Sequence, residues 1–254
     1  MTIIAVFNQK GGVAKTTTSL NLIAALARGG LDPLGIDLDP QAHLTTIGNA
    51  EVAAGRDSIF GFYAEDRYLS DLVRKFSIGG NIIPAHIELS KVDALHGKGL
   101  RSVMRLKNGI QSEMLAHGDS PIVIDCCPML NVLSLNAIFA CDRILVPISA
   151  DFLSVKGAIQ LEGTLKALEH VVKKRIERRY VITRFDARRR MARDIRGQLQ
   201  ERFGSDLCAT HISENVSLAE SAYYNLDVFS HAPHSQGARD YDAMLTELVS
   251  TGFI

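Results

Sequence analysis

The chain has 254 residues, with 28 basic and 28 acidic side chains, 46% hydrophobic residues and 22% charged ones. This composition excludes a disordered or collagen-like chain and fits a globular protein of one large or two small domains. No stretch approaches the ~18 apolar residues of a membrane span, and the opening Met1-Thr2-Ile3-Ile4-Ala5-Val6-Phe7-Asn8 lacks the basic start and cleavage site of a secretory signal.

In chain order, the pattern predicts a buried strand over residues 2–7 and a helix over 16–28. Strands follow at 34–38, 81–84 and 121–125, with a helix at 107–116 between the last two. Then come a strand at 143–147, a helix at 155–174, a strand at 180–183, a helix at 186–203, a strand at 207–212 and a helix at 238–250. Residues 50–80 lack periodicity, and no element is predicted there. Alternating strands and helices imply an α/β fold, with one doubly wound, mostly parallel sheet covered by helices on both faces. Without a repeat, a low-complexity linker or a break in composition, a single domain over residues 1–254 is expected.

Cys126 and Cys127, at the end of an apolar run, read as buried free thiols. Cys141 and Cys208 add no metal or disulfide spacing. The eight histidines are scattered, and proline interrupts the closest pair, His231-Ala-Pro-His234, so no metal role is assigned to them. Between residues 173 and 202 there are twelve basic and four acidic residues, a local net of +8 that leaves −8 for the remainder. That asymmetry keeps nucleic acid among the possible partners.

The first strand runs directly into Asn8-Gln9-Lys10-Gly11-Gly12-Val13-Ala14-Lys15-Thr16-Thr17-Thr18, and a helix follows. This is the setting of a phosphate-binding loop: glycines turn backbone N–H groups toward phosphate, and the helix N-terminus adds positive potential. Lys15 can reach the outer phosphates and the Thr16 hydroxyl can ligate magnesium. Gln9 and Ala14 stand where the plain G-x-x-x-x-G-K-[ST] pattern has glycine.

With Ala14 in place of the usual glycine, the loop resembles the Lys-Gly-Gly-x-Gly-Lys-Thr-Thr variant of the ParA/MinD group of deviant Walker ATPases. The resemblance continues in Asp37-Leu-Asp39-Pro40-Gln41 and in the Walker B-like Ile122-Val-Ile-Asp125-Cys-Cys-Pro128, where Cys127 replaces a usual proline. Later blocks beginning at Val181 and Ile212 are also similar, with Ser213 in place of a proline near the adenine. The resemblance implies a P-loop NTPase fold and ATP and Mg2+ as cofactors. Gly11, Gly12, Val13, Ala14, Lys15, Thr16 and Thr17 are expected around the phosphates. It further implies that Lys10 crosses a dimer interface to the partner's phosphates, as an arginine finger would.

Asp39 is the candidate for positioning or deprotonating the attacking water, together with Lys10 and Lys15 as catalytic residues. Asp37 supports the magnesium shell or the same water, since carboxylates two apart on a strand share a face. An Asx turn before Pro40 is the alternative for one of them. Asp125 ends an apolar strand and needs a partner such as hydrated magnesium, or serves as a helix cap. With Thr16 and Asp37 it forms the expected metal set. Asn215 is carried over as a nucleotide contact, against ordinary turn chemistry.

In the helix at 186–203, Met191, Ile195, Leu199 and Phe203 recur every four residues and are expected in the core. Arg189, Arg193 and Arg196 fall together on another side. On their own they are a solubilising face; the resemblance makes them candidate DNA contacts, to phosphate and without sequence preference.

The chain's last ten residues carry no Lys or Arg to meet anionic lipid, so membrane targeting of the MinD kind is disfavoured. Lys10 lies nearly at the start, which leaves no room for an N-terminal helix-turn-helix domain. The leading expectation is a cytoplasmic, nucleoid-associated, Soj-like ATPase that dimerises with ATP and binds DNA non-specifically. A ParB-like or cargo-adaptor activator would let it position a chromosome, a plasmid or a protein complex such as chemoreceptors or carboxysomes. The alternative is a metabolic enzyme of the same fold, dethiobiotin-synthetase-like, against which Lys10 and the D-x-D-P-Q segment argue. A metal-cluster carrier of the Mrp/NifH kind would need a C-x-x-C that Cys126-Cys127 does not supply.

Overall fold

Single-residue alternation divides the first strand, β1 (Ile3–Val6), between two apolar layers. Ile3 and Ala5 join one layer, and Ile4 and Val6 join the other. A strand buried on both faces gives this pattern, and it requires helices above and below. The protein, seen here as a computed structural model, is described over residues 2–95, 99–113, 115, 120–173 and 175–254.

Seven further strands complete the sheet: β2 (Leu34–Leu38), β3 (Arg74–Lys75), β4 (Asn81–Ile83), β5 (Ile122–Cys126), β6 (Arg143–Ser149), β7 (Glu177–Phe185) and β8 (Leu207–Ser213). Their spatial order is β3-β4-β2-β5-β1-β6-β7-β8, parallel throughout except at the β3–β4 edge. Helices Lys15–Arg28 and Gln236–Ser250 cover one face. Helices Ile59–Glu65, Val132–Ala140, Phe152–Val172 and Arg190–Phe203 cover the other. This is the expected doubly wound α/β architecture, a P-loop NTPase fold. No helix among the described residues is long and apolar enough to cross a membrane.

Several expectations need correction. The stretch 50–80 is not without structure: it holds a 3-10 turn at Gly55–Asp57, helices Ile59–Glu65 and Leu69–Leu72, and β3. These pieces are too short to show a period. Helix Val132–Ala140 was missed because it is buried all round and has no amphipathic stripe, although its Asn131/Ser134 capping box was readable. Met191 is 55% exposed, and Ala192 fills the core position in its place. The basic helix begins at Arg190 and not at 186, because the Asp186 carboxylate accepts the Arg188 N–H at 3.0 Å and holds a turn there. The helix expected at 107–116 runs Arg105–Ser112; Met114 and Ala116 lie outside the described residues, as does Lys174 at the end of the helix expected at 155–174.

β3 and β4 are joined through Gly79 and Gly80, at φ +104° and +74°. A Cβ on Gly80 would lie 2.3 Å from the Pro33 carbonyl oxygen, so left-handed backbone and close approach both require glycine. Gly80→Ala is therefore expected to lower stability by about 2–3 kcal/mol, read as a lower urea midpoint with an unchanged slope. An unaltered midpoint would show that the hairpin yields without cost.

Candidate nucleotide site

Strand register builds the site. In the line where β1, β5 and β2 lie side by side, Val6 pairs with Asp125 and Asp125 with Asp37. Both carboxylates are completely buried at the carboxyl ends of their strands, facing helix Lys15–Arg28. Ligand sites cluster at such ends in open α/β sheets.

The loop after β1 wraps this point. Gly12 and Ala14 adopt φ +76° and +64°, and Ala14 caps the helix from the left-handed region. Glycine is the usual residue for such backbone, so Ala14 carries strain of roughly 1–2 kcal/mol. A Cβ on Gly11 or Gly12 would meet nothing within 4 Å, so the loop encloses open space. Lys15 is 7% exposed, and its ammonium donates to the Lys10 carbonyl at 3.0 Å. Burial lowers its pKa, while Asp125, and then Asp39, pull it back up.

Asp125 accepts from the Thr16 hydroxyl and from the Ser19 hydroxyl, each at 2.8 Å. Burial first, and then the charge of Asp37, push its pKa to about 7. The helix-cap alternative for Asp125 is not what is seen, since its bonds are to side chains of helix Lys15–Arg28. Asp37 accepts the Asp39 N–H at 3.0 Å with one oxygen and the Thr45 N–H and hydroxyl at 2.9 and 2.7 Å with the other. Burial raises it to about 6 against those bonds. Asp39 is half-buried and accepts the Gln41 N–H at 2.9 Å. Both aspartates thus take part in turns of the segment, one more than the Asx alternative required.

Lys10 reaches across its own chain. Its ammonium donates to Asp151 at 2.6 Å and to Ser154 at 2.7 Å, just beyond β6. Burial would raise the Asp151 pKa, but the bonds from Lys10, Ser149 and Ser154 outweigh it and hold the carboxyl well below its usual range. A cavity of about 540 Å³ opens between the loop (Gly12, Ala14, Thr17) and the ends of β7 and β8 (Thr183, Ser213, Asn215). Asn215 lines it, yet its carboxamide oxygen caps the next helix by accepting the Ser217 N–H at 2.8 Å. Val13 faces inward, and its carbonyl accepts the Thr183 hydroxyl at 3.2 Å.

The three arginines are unequal. Arg189 is exposed and pairs with Asp186 and Glu214 at 3.4 and 3.7 Å. Arg193 is exposed and donates to the Ala187 carbonyl at 2.6 Å. Arg196 is half-buried and donates to the Ala209 carbonyl of edge strand β8 at 3.2 Å. Sequence reasoning missed Ser19, Thr45, Asp151 and Ser154. Ser19 had a signal, since it lies one helical turn after Lys15, and Asp151 had one in following a strand end.

The donor set fits the implied groups. Thr16 and Asp125 offer hard oxygen ligands suited to magnesium, and Lys15 with the turned loop offers a cradle for phosphate. A phosphate loop beside paired carboxylates on a parallel sheet defines a P-loop nucleoside triphosphatase.

Residues 1–178 match the AAA domain family. The chain is 29% identical over 252 residues to the sporulation initiation inhibitor protein Soj of Bacillus subtilis, spanning 98% of this chain and 99% of that one. It is 30% identical over 250 residues to the chromosome partitioning protein ParA of Caulobacter vibrioides, spanning 98% and 94%. Against the chromosome-partitioning ATPase Soj of Thermus thermophilus it is 31% identical over 250 residues, spanning 97% and 95%. The chain belongs to the ParA/Soj family of nucleotide-binding partition ATPases. In fold it is similar to McdA of Cyanothece, with a TM-score of 0.86, 19% identity and coverage of 98% and 99%. It is similar also to the cobyrinic acid a,c-diamide synthase of Mycobacterium smegmatis solved with ADP and magnesium, with a TM-score of 0.85, 27% identity and coverage of 100% and 96%.

One consequence concerns Ser19. Removing a hydroxyl that serves a buried carboxylate costs about 1.5–3 kcal/mol while the carboxylate is charged and about 1 when it is neutral. Asp125 is charged above about pH 7. Ser19→Ala is therefore expected to destabilise the metal-free protein more at pH 8 than at pH 5.5, in urea titrations at the two values. Equal losses would show that the bond does not depend on the charge of Asp125.

Proposed function

We propose that this chain, residues 1–254 acting as one unit, is a slow ATPase that works as an ATP-dependent homodimer on DNA. It would bind duplex DNA without sequence preference and position a chromosome, a plasmid or a protein complex in the cytoplasm, at the nucleoid. A ParB-like or cargo-adaptor activator would time hydrolysis. The observation that carries this reading is Lys15, whose ammonium bonds the Lys10 backbone and whose charge interacts with both Asp125 and Asp39. One buried cation thus ties together the phosphate loop, the metal-side carboxylate and the water-side carboxylate.

The residues divide the work. The turned backbone from Lys10 to Thr17 and the Lys15 ammonium hold the phosphates of ATP. Thr16 and Asp125 would hold magnesium, with Asp37 behind them, and a bound ion would supply positive charge against the phosphates. Asp39 orients a water and accepts its proton while the water oxygen bonds to the terminal phosphorus and the bond from phosphorus to the ADP oxygen breaks. Asn215 and Ser213 border the cavity on the side away from the phosphate loop, where the base and ribose fit.

Dimerisation has its own support. Met129 and Leu130 after β5, and Phe152 and Leu153 after β6, are exposed apolar side chains just beyond the two strands that flank the loop-bearing β1. Such a patch at a site rim favours cover by a second copy. For Lys10 to act on a partner's phosphates it must leave Asp151, and a part-exposed ion pair of this kind is worth only about 0–1 kcal/mol.

A variant set tests the chemistry. Lys15→Ala is expected to lose ATP binding. Lys10→Ala should bind ATP but lose both hydrolysis and the nucleotide-driven dimer in light scattering. Asp39→Ala should keep ATP affinity and slow hydrolysis by ~10²-fold or more. A wild-type rate in Asp39→Ala removes it as the water-side group. The synthase-like second reading rests on the 27% identity to the M. smegmatis enzyme; ATP turnover that needs a small carboxylic acid and ignores duplex DNA would favour it.

A second test concerns DNA. Each neutralised phosphate adds about −0.9 to the slope of log affinity against log salt, so doubling the contacts in a dimer should roughly double that slope. Arg189→Glu with Arg193→Glu is expected to weaken binding to all sequences alike without altering ATP-induced dimerisation. Equal DNA affinity with ATP and with ADP, or normal binding by the double variant, would return the arginines to a solvated face.

A further inference from the structure

We infer that Thr45 is a positioning residue for hydrolysis, holding Asp39 through Asp37; the inference rests on the ATPase reading given above. Thr45 lies in the short helix His43–Ile47, is completely buried and does not line the cavity beside the phosphate loop; it borders a smaller one with Pro40, Gln41 and Ala42. Its hydroxyl is used in both senses. It donates to one Asp37 oxygen at 2.7 Å and accepts the Ala85 N–H, just past β4, at 2.8 Å. The Thr45 N–H donates to the same Asp37 oxygen at 2.9 Å.

These bonds close a ring around Asp39. The other Asp37 oxygen accepts the Asp39 N–H at 3.0 Å, the Asp39 carboxylate accepts the Gln41 N–H at 2.9 Å, and the Asp39 carbonyl accepts the Ala42 N–H at 2.8 Å. Ala42 then turns through φ +53° into the helix that returns Thr45 to Asp37. The left-handed backbone at a non-glycine residue persists only where its surroundings fix it, and the two hydrogen bonds from Thr45 to Asp37 tie down the helix that Ala42 leads into. Asp37 therefore has three protein donors and acts on the loop, not only on the metal side. Through Ala85 the ring is anchored to the neighbouring strand, so Asp39 sits in the segment 37–45, which is pinned at both ends. A misplacement of about 1 Å at a reacting group can lower a rate 10²-fold, which sets what the pinning protects.

Thr45→Val keeps the shape but removes donor and acceptor; Thr45→Ser keeps both. Thr45→Val is expected to lower the rate of ATP hydrolysis by about tenfold or more with ATP affinity within about threefold, while Thr45→Ser stays within about twofold of wild type. In an Asp39→Ala background, Thr45→Val should lower the residual rate no further, because the group it positions is gone. Thr45→Ala, which adds no apolar bulk, replaces Thr45→Val if that variant does not fold. A wild-type rate in the hydroxyl-less variant overturns the inference. So does an equal loss in the Asp39→Ala background, which marks a structural effect independent of Asp39. If Asp39→Ala alone hydrolyses ATP at the wild-type rate, the catalytic reading of Asp39 falls and this inference falls with it, and that result is distinct from the other two.

Discussion

Two carboxylates buried side by side at the ends of β2 and β5 are the constraint to which the rest of the site answers. Asp37 and Asp125 are register partners, so the sheet itself forces like charges together where water is excluded. Burial pushes both toward neutrality, with the charge of Asp37 adding to it at Asp125 and that of Asp39 at Asp37, and each donor around them works against that tendency. Thr16 and Ser19 serve Asp125, and Thr45 with the Asp39 backbone serves Asp37. Lys15 has the reverse problem: burial lowers its pKa and the nearby carboxylates raise it. Neither the cation nor the anions would be tolerated alone at this depth, since a buried charge without its partner costs about 3–5 kcal/mol. The site is therefore built as a set of charges that depend on one another.

The sheet order decides which segments meet there. β1 lies between β5 and β6, and β2 lies on the far side of β5. Loops leaving the carboxyl ends of these four strands supply the phosphate loop, the Asp125–Met129 segment, the Asp37–Thr45 ring and the Asp151–Ser154 cap. None of these is near another in sequence. Parallel pairing brings them within hydrogen-bond distance, and the backbone strain at Ala14, Ala42 and Arg184, all at positive φ, lies around the same end of the sheet. Strain placed beside rigid strand ends persists because the packed layers beneath cannot relax it.

What could be read in the sequence follows from the range of the interactions. The phosphate loop was legible because its chemistry is local: glycines, Lys15 and Thr16 stand in one run between a strand and a helix. Asp125 and Asp37 were legible because a charge ending an apolar run is costly unless something meets it. Thr45 and Ser154 were not legible, since a threonine or serine near a strand end has many uses, and Asp151 offered only its place after a strand. Met191 was misread for a different reason. A spacing of four drifts around a 3.6-residue helix, so the first member of the row had rotated off the core by the time Phe203 reached it. Helix Val132–Ala140 failed the periodicity test because full burial leaves no polar side to mark it.

The basic segment shows how structure changes a charge count. By sequence it carries a net of +8, but Arg184 and Arg189 pair with Glu214, and Arg178 is buried between Glu162 and Glu169, acidic residues outside the counted segment. Arg196 covers the open edge of β8 from one side while the Glu247 carboxylate takes its Ala209 and Thr210 N–H groups from the other. An exposed sheet edge invites unwanted pairing, and side chains that occupy its donors and acceptors prevent it. Arg196 thus has a structural task that Arg193, bound only to carbonyls of its own turn, does not have. Near the start of the helix Arg189 too is shared with Asp186 and Glu214, and Arg193 is exposed, so the charge left to meet a polyanion is smaller than composition implies. A footprint this small gives one chain little hold on DNA at cellular salt, because the electrostatic part of the affinity grows with the number of phosphates neutralised. Two copies presenting the same helix start on one side would double the number of phosphates within reach.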